Sequence, residues 1–160
     1  MRLAIGSDDA GYPIKVVVLE YLRENGLDVE DYGTEEFRPV DYPDVAFPVA
    51  EAVANGVYDR AILICGTGIG MSISANKVPG VRAALCHDVY SAERARKSND
   101  AQILTMGARV IGPELAKSIV AAWLRSEFED GRSTRKVNKI VEKEKQMRGD
   151  YVQGNEKTSY

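Results

Sequence analysis

The sequence has few of the residues that most often identify a binding or catalytic site. Its 160 residues include two cysteines and one histidine, so neither a disulfide framework nor a metal site is predicted. The formal net charge of −3 gives no basis for expecting nucleic acid or an anionic membrane surface as a partner. No apolar stretch approaches the roughly 20 residues that span a bilayer, and the first residues, MRLAIGSD, do not resemble a signal peptide. We therefore expect a cytoplasmic protein.

Short apolar stretches alternate with helical patterns along most of the chain. The strands are predicted at residues 2–6, 27–32, 59–65, 81–86 and 101–106. A helix with Pro13 in its first turn and Gly26 at its end follows the first strand, and further helices are predicted near 44–55, from about 70 to 77, at 90–97, from Pro113 onward and from about 132 to 145. This order predicts an α/β domain, a three-layer sandwich whose five-stranded parallel sheet has helices on both faces.

One domain is expected over residues 1–145. The sequence from Glu144 onward is polar and has few apolar residues. Residues 146–160 are therefore predicted to form a flexible C-terminal tail.

The stretch ICGTGIGMSISANK, residues 64–77, follows the third predicted strand and is the strongest indication of a site. Its glycine spacing does not match a dinucleotide-binding loop or a Walker phosphate loop, and a redox C-x-x-C pair is absent. What remains is the Cys65 thiol beside the Thr67 hydroxyl and a group of backbone amides, a set that can stabilise a thiolate and the oxyanion of an enolate. From spacing alone, a purely structural role for Cys65 and the glycines is equally open.

Three stretches of the chain together resemble the ribose-5-phosphate isomerase B family, which also includes galactose-6-phosphate isomerase. They are GSDDAG (6–11), ICGTGIGMSISANKVPGVRAALCHD (64–88) and NDAQILTMGARVIG (99–112). The resemblance covers about residues 2–140 and implies a sandwich with a flavodoxin-like (Rossmann-like) order of strands, without metal or organic cofactor. It also implies a homodimer or a dimer of dimers with active sites between subunits. The implied reaction interconverts an aldose and a ketose phosphate through a cis-enediolate.

The resemblance also assigns roles to individual residues. The catalytic base of the family is a cysteine that matches Cys65, assisted by a threonine that matches Thr67. The enediolate oxygen is expected to be held by the backbone amides of Gly66, Gly68, Ile69, Gly70 and Met71. Sugar contacts are expected from Asp8, Asp9, Tyr42, Ser98 and Asn99. Phosphate is expected to bind Arg109, Arg132 and Lys136, with one of the two arginines coming from the partner subunit.

Three positions depart from the ribose-using members of the family. Asp9 and Ser98 stand where those members usually have histidines, and Lys136 stands where they have an arginine. The histidine that Ser98 replaces opens the furanose ring of ribose 5-phosphate. One interpretation is drift, since a serine with a water can still open a ring and a lysine can still hold phosphate.

The other interpretation is a change of substrate. A four-carbon sugar with phosphate on its terminal oxygen cannot close a furanose, so it needs no ring-opening acid. The stretch SAERARKSNDAQILTMGARVIG also looks like the isomerases of erythritol catabolism. We therefore favour D-erythrulose 4-phosphate and D-erythrose 4-phosphate over ribose 5-phosphate.

Two further expectations concern the class of protein and its single histidine. A non-catalytic sugar-phosphate-binding or partner subunit is disfavoured because such a chain is expected to lose the thiol, and Cys65 is retained. His87 is expected to be a structural, hydrogen-bonded residue rather than a proton shuttle.

Overall fold

The computed structural model describes residues 1–33 and 38–156, with side chains as far as residue 149, as two units that divide between Phe128 and Glu129. In the first unit the elements are β1 (Arg2–Ser7), α1 (Tyr12–Glu24), β2 (Asp28–Gly33), α2 (Tyr42–Ala54), β3 (Arg60–Cys65), α3 (Ile69–Ala75), β4 (Ala83–Leu85), α4 (Val89–Lys97), β5 (Ile103–Gly107) and α5 (Pro113–Arg125). The second unit contains α6 (Thr134–Glu156).

The five strands form one parallel sheet in the order β2-β1-β3-β5-β4. The predicted α/β class and five-stranded parallel sheet are confirmed. The flavodoxin-like order, 2-1-3-4-5, is wrong for the last two strands. The physical reason is that β5 is buried at every residue, whereas β4 has only three residues and none of them is fully buried. The apolar strand therefore takes the interior position beside β3, and the short strand forms the edge.

Helices cover both faces of the sheet, as right-handed crossovers between parallel strands require. The helices α1, α4 and α5 pack on one face around a core that includes Trp123, and α2 and α3 pack on the other face around Met71. Because both faces are covered, every residue of β3 is buried. The buried strand β3 can therefore present polar groups to a ligand only at its two ends. We call the side of the sheet where the strands begin its amino edge and the side where they end its carboxyl edge.

The predicted element bounds differ most at the C-terminus. The last helix was predicted over 132–145, but α6 extends to Glu156 and so includes most of the predicted tail. Its sequence contains no proline and is rich in lysine, glutamate and glutamine, which favour a helix. The flexibility of the tail stays a prediction, and residues 157–160 lie outside the described residues. Among the helices of the described ranges, none has the length and apolar character needed to cross a bilayer.

Candidate active site

The chain turns sharply where β3 ends, and Gly68 makes the turn possible. Gly68 has a φ of 76° and directly precedes the first residue of α3. A Cβ atom at this position would lie 2.6 Å from Leu85 Cδ1 and 2.7 Å from the carbonyl carbon of Met106. Both the left-handed conformation and the close packing therefore require glycine.

This turn directs a backbone amide at the Cys65 thiol. The Gly68 N–H donates a hydrogen bond to Cys65 Sγ over 3.1 Å, and the Cys65 side chain is 4% exposed. The cysteine backbone is held as well, since its carbonyl oxygen accepts from Ala108 N–H at 2.9 Å. A sulfur atom in this position is held rigidly and faces a donor that can bond to a thiolate.

The predicted amides of the glycine loop are engaged to different degrees. The Gly68 N–H is directed at the sulfur, and the Ile69 N–H donates to Thr67 Oγ1 at 3.3 Å. Gly70 and Met71 lie in the first turn of α3, where backbone N–H groups have no acceptor within the helix. The Thr67 side chain is exposed at the same end of the sheet.

Asp8 follows β1, the neighbour of β3, and its side chain is almost fully buried. Burial raises its pKa, and this is opposed by a 2.8 Å hydrogen bond from Gly11 N–H to Asp8 Oδ1 and by the positive charge of Arg109. A Cβ atom at Gly11 would overlap the carbonyl oxygen of Ile64, so this loop lies directly against the end of β3. Asp9, in contrast, is exposed.

Arg109 lies beside the glycine loop because β5 is the neighbour of β3. Its backbone N–H donates to Gly66 O at 3.0 Å, and a Cβ atom at Gly66 would lie 3.5 Å from Arg109 Cδ and Nε. Among the described residues the guanidinium has no hydrogen-bond partner. With the flavodoxin-like strand order, β4 would occupy this place.

Tyr42 closes the other side of the loop. A Cβ atom at Gly70 would lie 2.6 Å from the Tyr42 ring, so the ring packs against the first turn of α3. The fold thus brings together Asp8, Tyr42, Arg109 and the stretch from Cys65 to Met71.

Comparisons with known proteins agree with this arrangement. The family model for Ribose/Galactose Isomerase matches residues 3–140. The chain belongs to the ribose/galactose isomerase family. A D-erythrulose-4-phosphate isomerase from Pectobacterium atrosepticum is 56% identical over 88% of this chain and 93% of that protein. A ribose-5-P isomerase B from Listeria innocua is 55% identical over 89% of this chain and 96% of that protein.

A solved structure of ribose-5-phosphate isomerase B from Clostridium thermocellum has a TM-score of 0.90. It is 50% identical and covers 92% of this chain and 99% of that chain. The predicted enzyme class is therefore confirmed, and the protein is a sugar-phosphate isomerase of the ribose/galactose isomerase family.

Not all of the predicted site residues of this isomerase meet in one chain. Ser98 and Asn99 follow α4 and precede β5, so they lie at the amino edge of the sheet, whereas Cys65 lies at the carboxyl edge. The register pairs Cys65 with Gly107, and β5 begins at Ile103. The rise of four residues from Ile103 to Gly107 separates the beginning of β5 from the position of Cys65 by roughly 13 Å along the strand. Arg132 and Lys136 belong to the second unit, and their role as phosphate ligands stays a prediction.

Two side chains of the isomerase hydrogen-bond to the backbone in the glycine loop or next to it. His87 Nε2 accepts a 2.9 Å hydrogen bond from Gly107 N–H, which agrees with its predicted structural role. Thr105, which the sequence interpretation missed, donates from Oγ1 to Gly68 O at 3.0 Å in a fully buried position. The available signal was a hydroxyl in the middle of the apolar strand ILTMG.

Proposed function

We propose that this isomerase interconverts D-erythrulose 4-phosphate and D-erythrose 4-phosphate, with Cys65 as the base. The observation that carries the role of Cys65 is the 3.1 Å hydrogen bond from Gly68 N–H to Cys65 Sγ. A general base must lie in a fixed position with its lone pair available, and this donor both orients the sulfur and accommodates negative charge on it.

The proposed reaction returns Cys65 to the thiolate form in which it starts. With the ketose bound, the thiolate of Cys65 removes a proton from C1, and the electron pair forms the C1=C2 double bond of an enediolate with negative charge on O2. The thiol then returns the proton to C2 and becomes the thiolate again, while the hydroxyl proton moves from O1 to O2, so that the C1 aldehyde and the C2 hydroxyl form. Thr67 is proposed to assist the transfer between the two oxygens.

The surrounding groups are proposed to hold the charge and the phosphate. Backbone amides of the stretch 66–71 stabilise the enediolate. Those of Gly70 and Met71 belong to the first turn of α3 and have no acceptor within the helix. Asp8 and Asp9 contact sugar hydroxyls, and Tyr42 lines the pocket. The phosphate is assigned to Arg109, Arg132 and Lys136, since guanidinium and ammonium groups suit its charge and oxygen geometry.

The choice of a four-carbon sugar depends on Ser98. The names of the relatives do not distinguish between the two substrates. The D-erythrulose-4-phosphate isomerase and the ribose-5-P isomerase B are almost equally similar to this chain, at 56% and 55% identity. Ser98 stands where ribose-using members have the histidine that opens the furanose ring. Because D-erythrose 4-phosphate carries its phosphate on the oxygen that would close the ring, it stays open and needs no such acid.

The proposed active site is shared between two copies of the chain. Cys65 and Asn99 lie at opposite edges of one sheet, separated by roughly 13 Å along the strands. A four-carbon phosphate extends over roughly 8 Å at ordinary bond lengths. Both residues can therefore contact one substrate molecule only if they come from different copies.

An exposed apolar surface beside the site supports the homodimer. Ile69 and Ile73, four residues apart on α3, are 51% and 58% exposed, and Leu85 is 37% exposed against Gly68. Side chains of this size on the rim of a site suit coverage by a second subunit. Sedimentation analysis is expected to give a dimer or a tetramer, and a fully active monomer would contradict the shared site.

The substrate is tested by measuring kcat/KM for D-erythrulose 4-phosphate and ribose 5-phosphate with the same preparation. We expect the tetrose to be preferred by about tenfold or more, as one missing acid catalyst implies. Ribose 5-phosphate as the better substrate would overturn the open-chain argument and favour the alternative, a type B ribose-5-phosphate isomerase. Turnover in heavy water must place deuterium on the exchanging carbon, and its absence would exclude proton transfer through an enediolate.

A further inference from the structure

The turn that carries Ser98 and Asn99 has an unusual backbone conformation. It ends at Asp100, which has a φ of 47° and is the single non-glycine residue with positive φ among the described residues. The turn closes α4 through hydrogen bonds from Asp100 N–H to Arg96 O at 3.1 Å and from Ala101 N–H to Ala95 O at 2.9 Å. A non-glycine residue keeps this conformation only where neighbouring groups stabilise it.

Arg82, which lies just before β4, contacts this turn with several donors. Its Nε donates to Asn99 O at 3.0 Å and to Asp100 O at 3.1 Å. Its Nη2 donates to Asp100 O at 3.0 Å and to Asp100 Oδ2 at 2.9 Å. A planar guanidinium can bond to two carbonyls and a carboxylate at once, which a lysine ammonium cannot reproduce.

The second carboxylate oxygen of Asp100 is bound by Arg96. Arg96 Nη1 lies 3.0 Å from Asp100 Oδ1 and also donates to Ala101 O at 3.0 Å, and Arg96 is 6% exposed. Asp100 is thus fixed from both sides by arginines of two different elements. The backbone on either side of Asn99 therefore has little freedom to move.

The side chains of Ser98 and Asn99 are in the opposite situation. Within the described residues neither side chain has a hydrogen-bond partner, and Asn99 is exposed. The backbone of this turn is therefore held by hydrogen bonds, while its two polar side chains form none within the described residues. Polar side chains on a rigid backbone can bind to a second molecule at a small cost in conformational entropy.

We infer that Arg82 and Asp100 are positioning residues for the active site of a second copy of the chain. They hold the turn so that Ser98 and Asn99 reach the substrate bound at the Cys65 of that copy, and they contact no substrate themselves. The inference rests on the proposed function, because it requires the site to be shared between two chains.

The first experiment measures kcat and KM for D-erythrulose 4-phosphate with Arg82→Gln and Asp100→Asn. Arg82→Gln leaves the Asp100 carboxylate paired with Arg96, and asparagine tolerates positive φ, so both variants are expected to fold. We expect kcat/KM to fall by about tenfold in each, since bonds to charged groups are lost. Arg82→Lys should recover only part of the loss. A wild-type kcat/KM in Arg82→Gln would overturn the inference.

A matched control is Arg60→Gln, which removes another arginine at the same edge of the sheet. Arg60 bonds to Trp123 O, Leu124 O and Glu127, and to no residue of the 98–100 turn. Its loss is expected to lower stability and to leave kcat/KM of the folded enzyme unchanged. A tenfold loss of kcat/KM in Arg60→Gln as well would show a general effect of removing an arginine at this edge and would overturn the inference.

The second experiment uses mixed dimers purified through two different affinity tags. A dimer of Cys65→Ala with Arg82→Gln contains one site with both lesions and one site with neither, if Arg82 acts on the other chain. We expect about half of the wild-type rate from such a dimer. If Arg82 acts within its own chain, each site keeps one lesion and the rate stays near one twentieth, which overturns the inference.

A parallel dimer of Cys65→Ala with Asn99→Ala separates this inference from the proposed function. Recovery of activity in that dimer supports a site shared between chains, whatever Arg82 does. No recovery there, with an active wild type and an inactive Cys65→Ala, contradicts the shared site itself. Recovery there without recovery in the Arg82→Gln dimer overturns the positioning role alone.

Discussion

The two edges of the sheet carry similar polar residues but satisfy them in different ways. At the amino edge, the guanidinium groups of Arg60, Arg82 and Arg96 all donate to backbone carbonyls and all face carboxylates. At the carboxyl edge, Cys65 Sγ and the Asp8 carboxylate accept from backbone amides only, and the Arg109 guanidinium has no hydrogen-bond partner among the described residues.

The difference follows from what each edge contributes. A buried charge without partners is costly, and the three guanidinium groups at the amino edge are each paired with a carboxylate. Groups that bind a ligand must keep bonding capacity for it, and they can do so only where solvent or substrate supplies the missing partners. We therefore propose the carboxyl edge as the reactive edge, whereas the amino edge supports a turn that we propose to serve another chain.

The largest effect is expected from removing the thiol of the reactive edge. Cys65→Ala should lower kcat by about 10²–10⁴-fold, because it removes the proposed general base, and it should leave the thermal transition nearly unchanged. Cys86→Ala is the matched control, since Cys86 is equally buried but lies outside the glycine loop. Retention of most of the kcat in Cys65→Ala would show that another group is the base.

At the amino edge, removal of Arg60 should lower the free energy of unfolding rather than kcat. Arg60→Gln removes an ion pair of 2.6 Å with Glu127 and two bonds to the carbonyls of Trp123 and Leu124. We expect a loss of about 2 kcal/mol in the free energy of unfolding, measured by urea denaturation. Lys117→Gln, which breaks the exposed pair with Glu114, should cost less than about 0.5 kcal/mol. Equal losses in the two variants would contradict the contrast between the edges.

The second thiol offers a pH test. Burial raises the pKa of Cys86 to about 12, so the folded protein keeps this proton at pH values where the unfolded chain has lost it. The unfolded state then binds fewer protons, and stability falls by up to ~1.4 kcal/mol for each pH unit above about 9. In Cys86→Ala this contribution is absent, so urea denaturation between about pH 9 and 11 should show a shallower decline than wild type. Identical slopes would refute the assigned cause.

The smallest effect concerns the turn at the amino edge. Ser98→His should raise kcat/KM for ribose 5-phosphate by about tenfold, by restoring a ring-opening acid, and should leave D-erythrulose 4-phosphate largely unaffected. Ser98→Ala serves as a control for loss of the hydroxyl. An improvement with the tetrose alone would count against the open-chain argument.

Much of the site could be recognised from the chain alone because its residues are neighbours in sequence. The stretch 64–71 carries the thiol, the hydroxyl and the amides, and one turn of backbone brings them together. The roles of Thr105 and Arg82 could not be predicted from the sequence, because their partners, Gly68 and the 98–100 turn, are distant along the chain. A lone threonine or arginine has no local pattern that reports such a partner.

The sequence by itself determined the alternation of strands and helices, the membership in an isomerase family and the place of the glycine loop in which we propose the catalytic cysteine. These depend on local periodicity and on residues close together in the chain. Only the tertiary structure decided that β5 lies beside β3, which places Arg109 at the glycine loop and leaves β4 at the edge. It also decided that Ser98 and Asn99 lie at the opposite edge from Cys65. Strand order depends on which strand buries more apolar surface, and that competition between distant segments is settled only when the whole sheet packs.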